Sequence, residues 1–227
     1  PLDNSAGILS PTPLAVLPAP AYQGRVTTTT QGAAQTSPSL ALGSEYSTRL
    51  VILALNAYAN PTAVTLTPSV GSAITMTKVV GQTTGTANYA SIWQAVVPTG
   101  ATCTVDVTLP FNPYDRTSIA AYTVDTASMA STTPVDSKFL DSSSATTMTV
   151  NLSTLSGGFV IATAANRNIS ANSATWSGVS ERYDIATSGI VSSGGDASAT
   201  PTSTSAYPVT VTYLNAQAMS MLAISYR

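Results

Sequence analysis

Arg49–Tyr58 reads RLVILALNAY and Thr102–Leu109 reads TCTVDVTL. In the second stretch Cys103, Val105, Val107 and Leu109 alternate with Thr102, Thr104, Asp106 and Thr108. That period of two belongs to a strand with one face in a core and the other in water. In the first stretch apolar residues run almost without interruption, as in a strand covered on both faces. TMTVNL (Met148, Val150, Leu152) and PVTVTYL (Val209, Val211, Tyr213) repeat the alternating form. AITMTKVV, NYASIWQAVV, SIAAYTV, GGFVIATAA and AMSMLAISY repeat the continuous one, covered by other strands, by an arm or by a partner. From Glu45 onward no useful length carries the 3.6-residue period of a helix.

Three longer pieces share a pattern: an alternating Thr/Val strand, a polar connection, then an Ala-rich apolar strand. They are TCTVDVTLPFNPYDRTSIAAYTV, TMTVNLSTLSGGFVIATAA and PVTVTYLNAQAMSMLAISY. Their spacing is too irregular for a solenoid and suits hairpins in a sandwich of roughly a dozen strands. The expected fold is all-β, a two-sheet antiparallel β-sandwich, jelly-roll-like, with an immunoglobulin-like sandwich as the second choice. Residues 1–44 are rich in Pro and Thr, which argues against a helix or a central strand. They also carry Leu14, Val16, Leu17 and Tyr22, which need cover. The expectation is an extended N-terminal arm over 1–44, contributing to docking, and a sandwich domain over 45–227.

Composition excludes several functions. The chain has 8 basic and 10 acidic residues, a net charge of −2 and only 8% charged residues. Nucleic-acid binding requires clustered Lys and Arg, and here they are scattered. Its mean hydropathy is +0.21, and 66 of its 227 residues are Ser or Thr. Ordinary soluble surfaces carry about 25–35% charge, so hydroxyls and amides must supply the polar faces here. Such surfaces suit proteins packed against copies of themselves or displayed outside cells. No membrane insertion is expected, because LVILALNAYA is about half the ~20 residues that a spanning helix needs. The first residues lack a basic region and are broken by prolines, and a leading Pro fits a protein made in the cytoplasm that has lost its initiator Met.

The chain has no His, so Ser-His-Asp and Cys-His catalytic sets and His-containing zinc sites are excluded. Its one cysteine, Cys103, reads as a core residue. No glycine-rich phosphate loop opens a helix. Paired carboxylates are the remaining route to an enzyme: Glu181 with Asp184, or Asp115 beside Tyr114 and Arg116. Glu occurs only twice, at Glu45 and Glu181, and the aromatics and acids of a sugar-cleaving cleft are not gathered. The DNS, VDS, LDSSS and GGD stretches offer oxygen atoms but lack the spacing of a calcium loop. The expectation is no catalytic residue, no metal and no cofactor. Sequons at Asn151 and Asn168 matter only in a eukaryotic secretory setting.

One region concentrates unusual residues. GGFVIATAANRNISANSATWSGVSERYD, Gly157–Asp184, holds Trp176 and then Glu181, Arg182, Tyr183 and Asp184. It reads as an inner strand, a polar loop, a strand, a Ser-Gly turn and a second strand. Trp176 and Tyr183 are expected to cover a sheet edge, with Glu181 and Arg182 close together in water. These five residues are the candidate recognition loop.

SIWQAVVPTGATCTVDVTL, SIAAYTVDT, GGFVIATAA, SATWSGVSERYD and MLAISYR together resemble β-sandwich proteins of tailed bacteriophages and prophages. Pro98–Leu109 and Thr175–Asp184 carry the resemblance, which spans roughly residues 45–227. It implies a non-enzymatic virion structural part, such as a head decoration protein, a head fibre or a tail adhesion module. Its partners would be copies of itself and other virion proteins. The alternative is a carbohydrate-binding or adhesive module, with a host-surface glycan as ligand, and behind it a glycoside-cleaving enzyme.

Overall fold

The computed structural model describes residues 18–81, 88–111, 116–167, 173–187, 190–198 and 202–227. Among them the chain is almost entirely strand, and every strand pair is antiparallel. The chain enters a central sheet with β1 (Ala21–Thr27) and crosses to a flanking sheet with β2 (Ala34–Thr36) and β3 (Leu40–Ala41). It returns with β4 (Arg49–Ala57) and crosses again with β5 (Ala63–Pro68) and β6 (Ile74–Thr75). β7 (Thr77–Gly81) and β8 (Tyr89–Val96) are central, β9 (Thr102–Thr108) is flanking, and β10 (Ser118–Asp125) is central. The central order is β1-β10-β4-β8-β7 and the flanking order β2-β9-β5-β6, with β3 also on β9.

A short 3₁₀ turn, Thr126–Ser128, follows; the Asp125 carboxylate caps it by accepting the Ala127 N–H at 2.9 Å. The rest of the chain builds a third sheet. Its strands are β11 (Asp136–Thr154), β12 (Phe159–Asn166), β13 (Ala174–Ser177), β14 (Ser180–Thr187), β15 (Ile190–Ala197) and β16 (Thr204–Tyr226). The order is β11-β16-β12-β15-β14, with β13 also on β16.

The molecule therefore has more layers than the expected two sheets, and β4 shows why. Val51, Leu53 and Leu55 share a core with Val64, Trp93, Cys103 and Val105, between the central and flanking sheets. The alternate residues Leu50, Ile52 and Ala54 share another core with Phe159, Ile161, Leu222 and Ile224 of the third sheet. All nine residues of β4 are buried. A strand apolar on both faces needs a sheet on each side, and each fully buried aliphatic side chain stabilises by about 1.5–3 kcal/mol.

The third sheet also folds over on itself. β11 is 19 residues long and β16 is 23. Ala145 opposes Gln217 while Thr147 opposes Thr212, so β16 carries extra residues at this point and the ribbon bends. Leu214, on the bulge, is 72% exposed. The far halves, with Met148, Val150, Val209 and Val211, close over Val160, Ala162, Met219 and Met221 as a further core. Ser225 Oγ donates to the Ser153 carbonyl at 2.6 Å and the Ser153 N–H to Asp136 Oδ2 at 2.8 Å, tying the two halves together.

From Pro18 onward, the stretch read above as an arm is woven into the sheets. β1 pairs with β10 as an edge strand, and β2 and β3 pair with β9. Leu40 and Leu42 are in the core, and the Tyr22 ring lies 5.4 Å from that of Tyr122. Prolines 18, 20 and 38 fall just outside these short strands, where a missing N–H is tolerated. Leu14, Val16 and Leu17 lie outside the described residues, as do Tyr114, Asp115 and Asn168.

Candidate functional site

The five candidate residues sit where the chain passes from the outer half of the third sheet to its inner half. β13 pairs with the outer half of β16, Ala174 opposite Tyr213 and Trp176 opposite Val211. The chain then turns at Gly178, whose φ is +83°, and β14 pairs with β15. The expected strand, Ser-Gly turn and strand are all present, but they form a corner between layers and not a hairpin.

A bulge then sorts the side chains. Glu181 opposes Gly195 and Tyr183 opposes Gly194, so Arg182 is the extra residue. In a regular strand Glu181 and Asp184 would face opposite sides. The bulge turns both away from the central sheet, while Arg182 and Tyr183 turn toward it. The partners of the two carboxylate residues, Gly195 and Ser193, are two apart on β15, which places their Cα atoms roughly 7 Å from each other.

Tyr183 is 7% exposed and packs in the core between the central and third sheets. Its hydroxyl lies 2.9 Å from Thr163 Oγ1, which also accepts from Asn56 Nδ2 at 2.8 Å. Its ring stacks on Tyr22 at 6.1 Å. A Cβ on Gly194 would lie 2.5 Å from that hydroxyl, so β15 needs glycine there. Arg182 pairs not with Glu181 but with the buried Asp196, both bonds at 2.8 Å. Trp176 is half-buried and donates its indole N–H to Ser193 Oγ at 2.6 Å. Tyr183 thus packs between the layers and Arg182 is committed to the neighbouring strand, leaving Glu181 and the half-buried Trp176 as the groups that could meet a ligand. Ser193, Asp196 and Tyr213 complete the region; the sequence reading places Tyr213 on an alternating strand and Asp196 in the GGD stretch weighed for calcium, but joins neither to the candidate residues.

Asp184 Oδ2 accepts the Ala174 N–H at 2.8 Å, while its Oδ1 is buried with no partner among the described residues. Burial raises the Asp184 pKa, against the pull of that amide. Burial also raises Glu181, helped by the charge of Asp184. The Tyr213 hydroxyl, buried and unpartnered, is raised by burial and then by the Asp184 charge. Asp184 is committed to the β13–β14 corner, which weighs against a role in activating water. Two carboxylates are few for a calcium ion that takes 6–8 oxygens. Among the described residues no three His, Cys, Asp or Glu side chains gather as metal ligands would. The Cys103 thiol is 2% exposed and pushed up to about 12 by burial.

These shifts have a sign. Glu181 and Asp184 hold protons more tightly folded than unfolded, so the stability they contribute is present below the unfolded carboxylate pKa and is lost as pH rises through the folded one. Asp136 runs the other way. Burial raises it, but the Ser153 and Ser137 N–H groups and Lys138 outweigh that, so its contribution is lost on acidification. Asp184→Asn is expected to raise the melting temperature at neutral pH relative to that at acid pH, compared with the unaltered chain. An unchanged difference between the two pH values, in melts followed by circular dichroism, would locate the effect elsewhere.

Compared with known proteins, the chain matches no family model, no curated protein and no solved structure.

Proposed function

We propose that this chain is a non-enzymatic structural protein of a tailed-bacteriophage virion, assembled in many copies on the particle surface as a capsid decoration, head fibre or tail component. The virion assignment rests on the resemblance of residues 45–227 to such proteins. The structural role rests on one observation: five charged side chains, Arg49, Asp136, Asp184, Asp125 and Glu45, are bonded to backbone. Among the described residues the Arg49 guanidinium donates to carbonyls alone. Asp136 accepts from Ser137 and Ser153, Asp184 from Ala174, Asp125 from Ala127, and Glu45 from Gly100. Meanwhile Val135, Phe139 and Leu140 stand exposed along one sheet edge.

A second reading, glycan binding, has its own observation: the bulge that sets Glu181 and Asp184 on one face, next to the strand bearing Trp176. The exposed Glu181 carboxylate can accept from sugar hydroxyls, and the indole offers an apolar face. Electron microscopy of particles carrying the protein separates the two. Regularly spaced copies on a particle surface support the structural reading. Isolated molecules that bind a glycan array, with binding lost in Trp176→Ala, would replace it with the second.

A further inference from the structure

We propose that the edge of β11 pairs antiparallel with the same edge of a second copy, about a twofold axis at Ser137. This rests on the assembly reading above and adds the contact by which copies meet. Among the described residues β11 is hydrogen-bonded on one side only, to β16. No second strand pairs with it among the described residues, although the Ser137 N–H already donates to Asp136 Oδ1 at 2.7 Å, and exposed apolar groups lie along it. Val135, leading into the strand, is 36% exposed, and Phe139 is 36% exposed.

The residues around Ser137 are self-complementary. A twofold axis normal to a sheet pairs residues of like parity, which face the same side. With Ser137 opposite Ser137 of the second copy, Asp136 meets Lys138 and Val135 meets Phe139, each twice. Opposite charges and apolar pairs set directly across strands are the pairings that stabilise a sheet. Lys138 is 49% exposed and leans on Asp136 of its own strand at 3.3 Å. An edge lysine usually blocks foreign strands by leaving a charge uncompensated. Here Lys138 already has Asp136 of its own strand, and the self-pair adds the Asp136 of the second copy, which a neutral partner strand does not supply.

Ser137→Cys tests the axis. Directly opposed Cα atoms lie about 4.5–5.5 Å apart, within disulfide reach, and the native Cys103 is buried. Under mild oxidation Ser137→Cys is expected to form a covalent dimer. Ser143→Cys, roughly 20 Å along the strand, is expected to stay monomeric on a non-reducing gel. The double variant Val135→Lys/Phe139→Lys, on exposed positions, should weaken dimerisation at least about thirtyfold by sedimentation. Cysteines that cross-link no faster at 137 than at 143, or a double variant that associates like the unaltered chain, overturn the proposal while leaving assembly intact. An unaltered chain that is monomeric and joins no particle removes the assembly reading itself.

Discussion

Arg49→Met is expected to cost about 4 kcal/mol of folding stability, enough to leave a typical domain marginal. Arg49 begins β4 and is fully buried. Its Nε donates to the Val97 carbonyl at 2.8 Å, and Nη2 to Thr99 and Gly100 at 2.8 and 2.7 Å. Nη1 reaches Ser44 at 2.9 Å and Leu42 and Gly43 at 3.3 Å. One planar group thus pins two loops, the one after β3 and the one between β8 and β9. Methionine fills much of the volume and leaves these carbonyls, three of them at buried bonds, without their donor. Lysine keeps the charge but has three donors on a point-like head, so Arg49→Lys should recover only part of the loss. Urea unfolding reads both, and an unchanged midpoint for Arg49→Met would mean that the carbonyl cage contributes nothing.

Gly178→Ala is expected to cost about 3 kcal/mol, from two causes that a second variant separates. The backbone there has φ of +83°, and an added Cβ would lie 2.2 Å from the Pro208 carbonyl oxygen. The Tyr207 hydroxyl donates to the Gly178 carbonyl at 2.6 Å, so the corner has little room to move away from β16. Gly24 also has positive φ, +124°, but nothing lies within 4 Å of an added Cβ. Gly24→Ala should therefore cost only the conformational share, about 1 kcal/mol. Equal losses in the two variants would show that the collision is relieved and that the layers are not in close contact at this corner.

The alternating and continuous apolar strands were legible because burial on one or both faces writes itself directly into hydrophobic period. Cys103 and Trp93, 2% and 4% exposed, sit where that period puts them. β15 was not legible. IVSSGGDA looks like a turn, yet its first seven residues are buried, because glycine there admits the Tyr183 hydroxyl and the Ser180 carbonyl. The first half of β11, DSKFLDSSS, carries no strand pattern because an edge strand in water needs no apolar alternation. β1 was hidden by the prolines before it. Of the candidate residues, their clustering in sequence was plain. Their division between two faces was not, since it depends on one bulged residue, Arg182, whose partner Asp196 comes 14 positions later.

The most direct test of a self-assembling structural protein is sedimentation velocity of the purified chain at low salt and at about 1 M salt, where the Debye length falls to ~3 Å. With 18 formal charges in 227 residues, and several of those bound to backbone, contacts between copies must be made by apolar groups, hydroxyls and strand edges. The predicted result is a multimer whose sedimentation is nearly the same in both buffers. A monomer in both, with no attachment to any particle, would contradict the account.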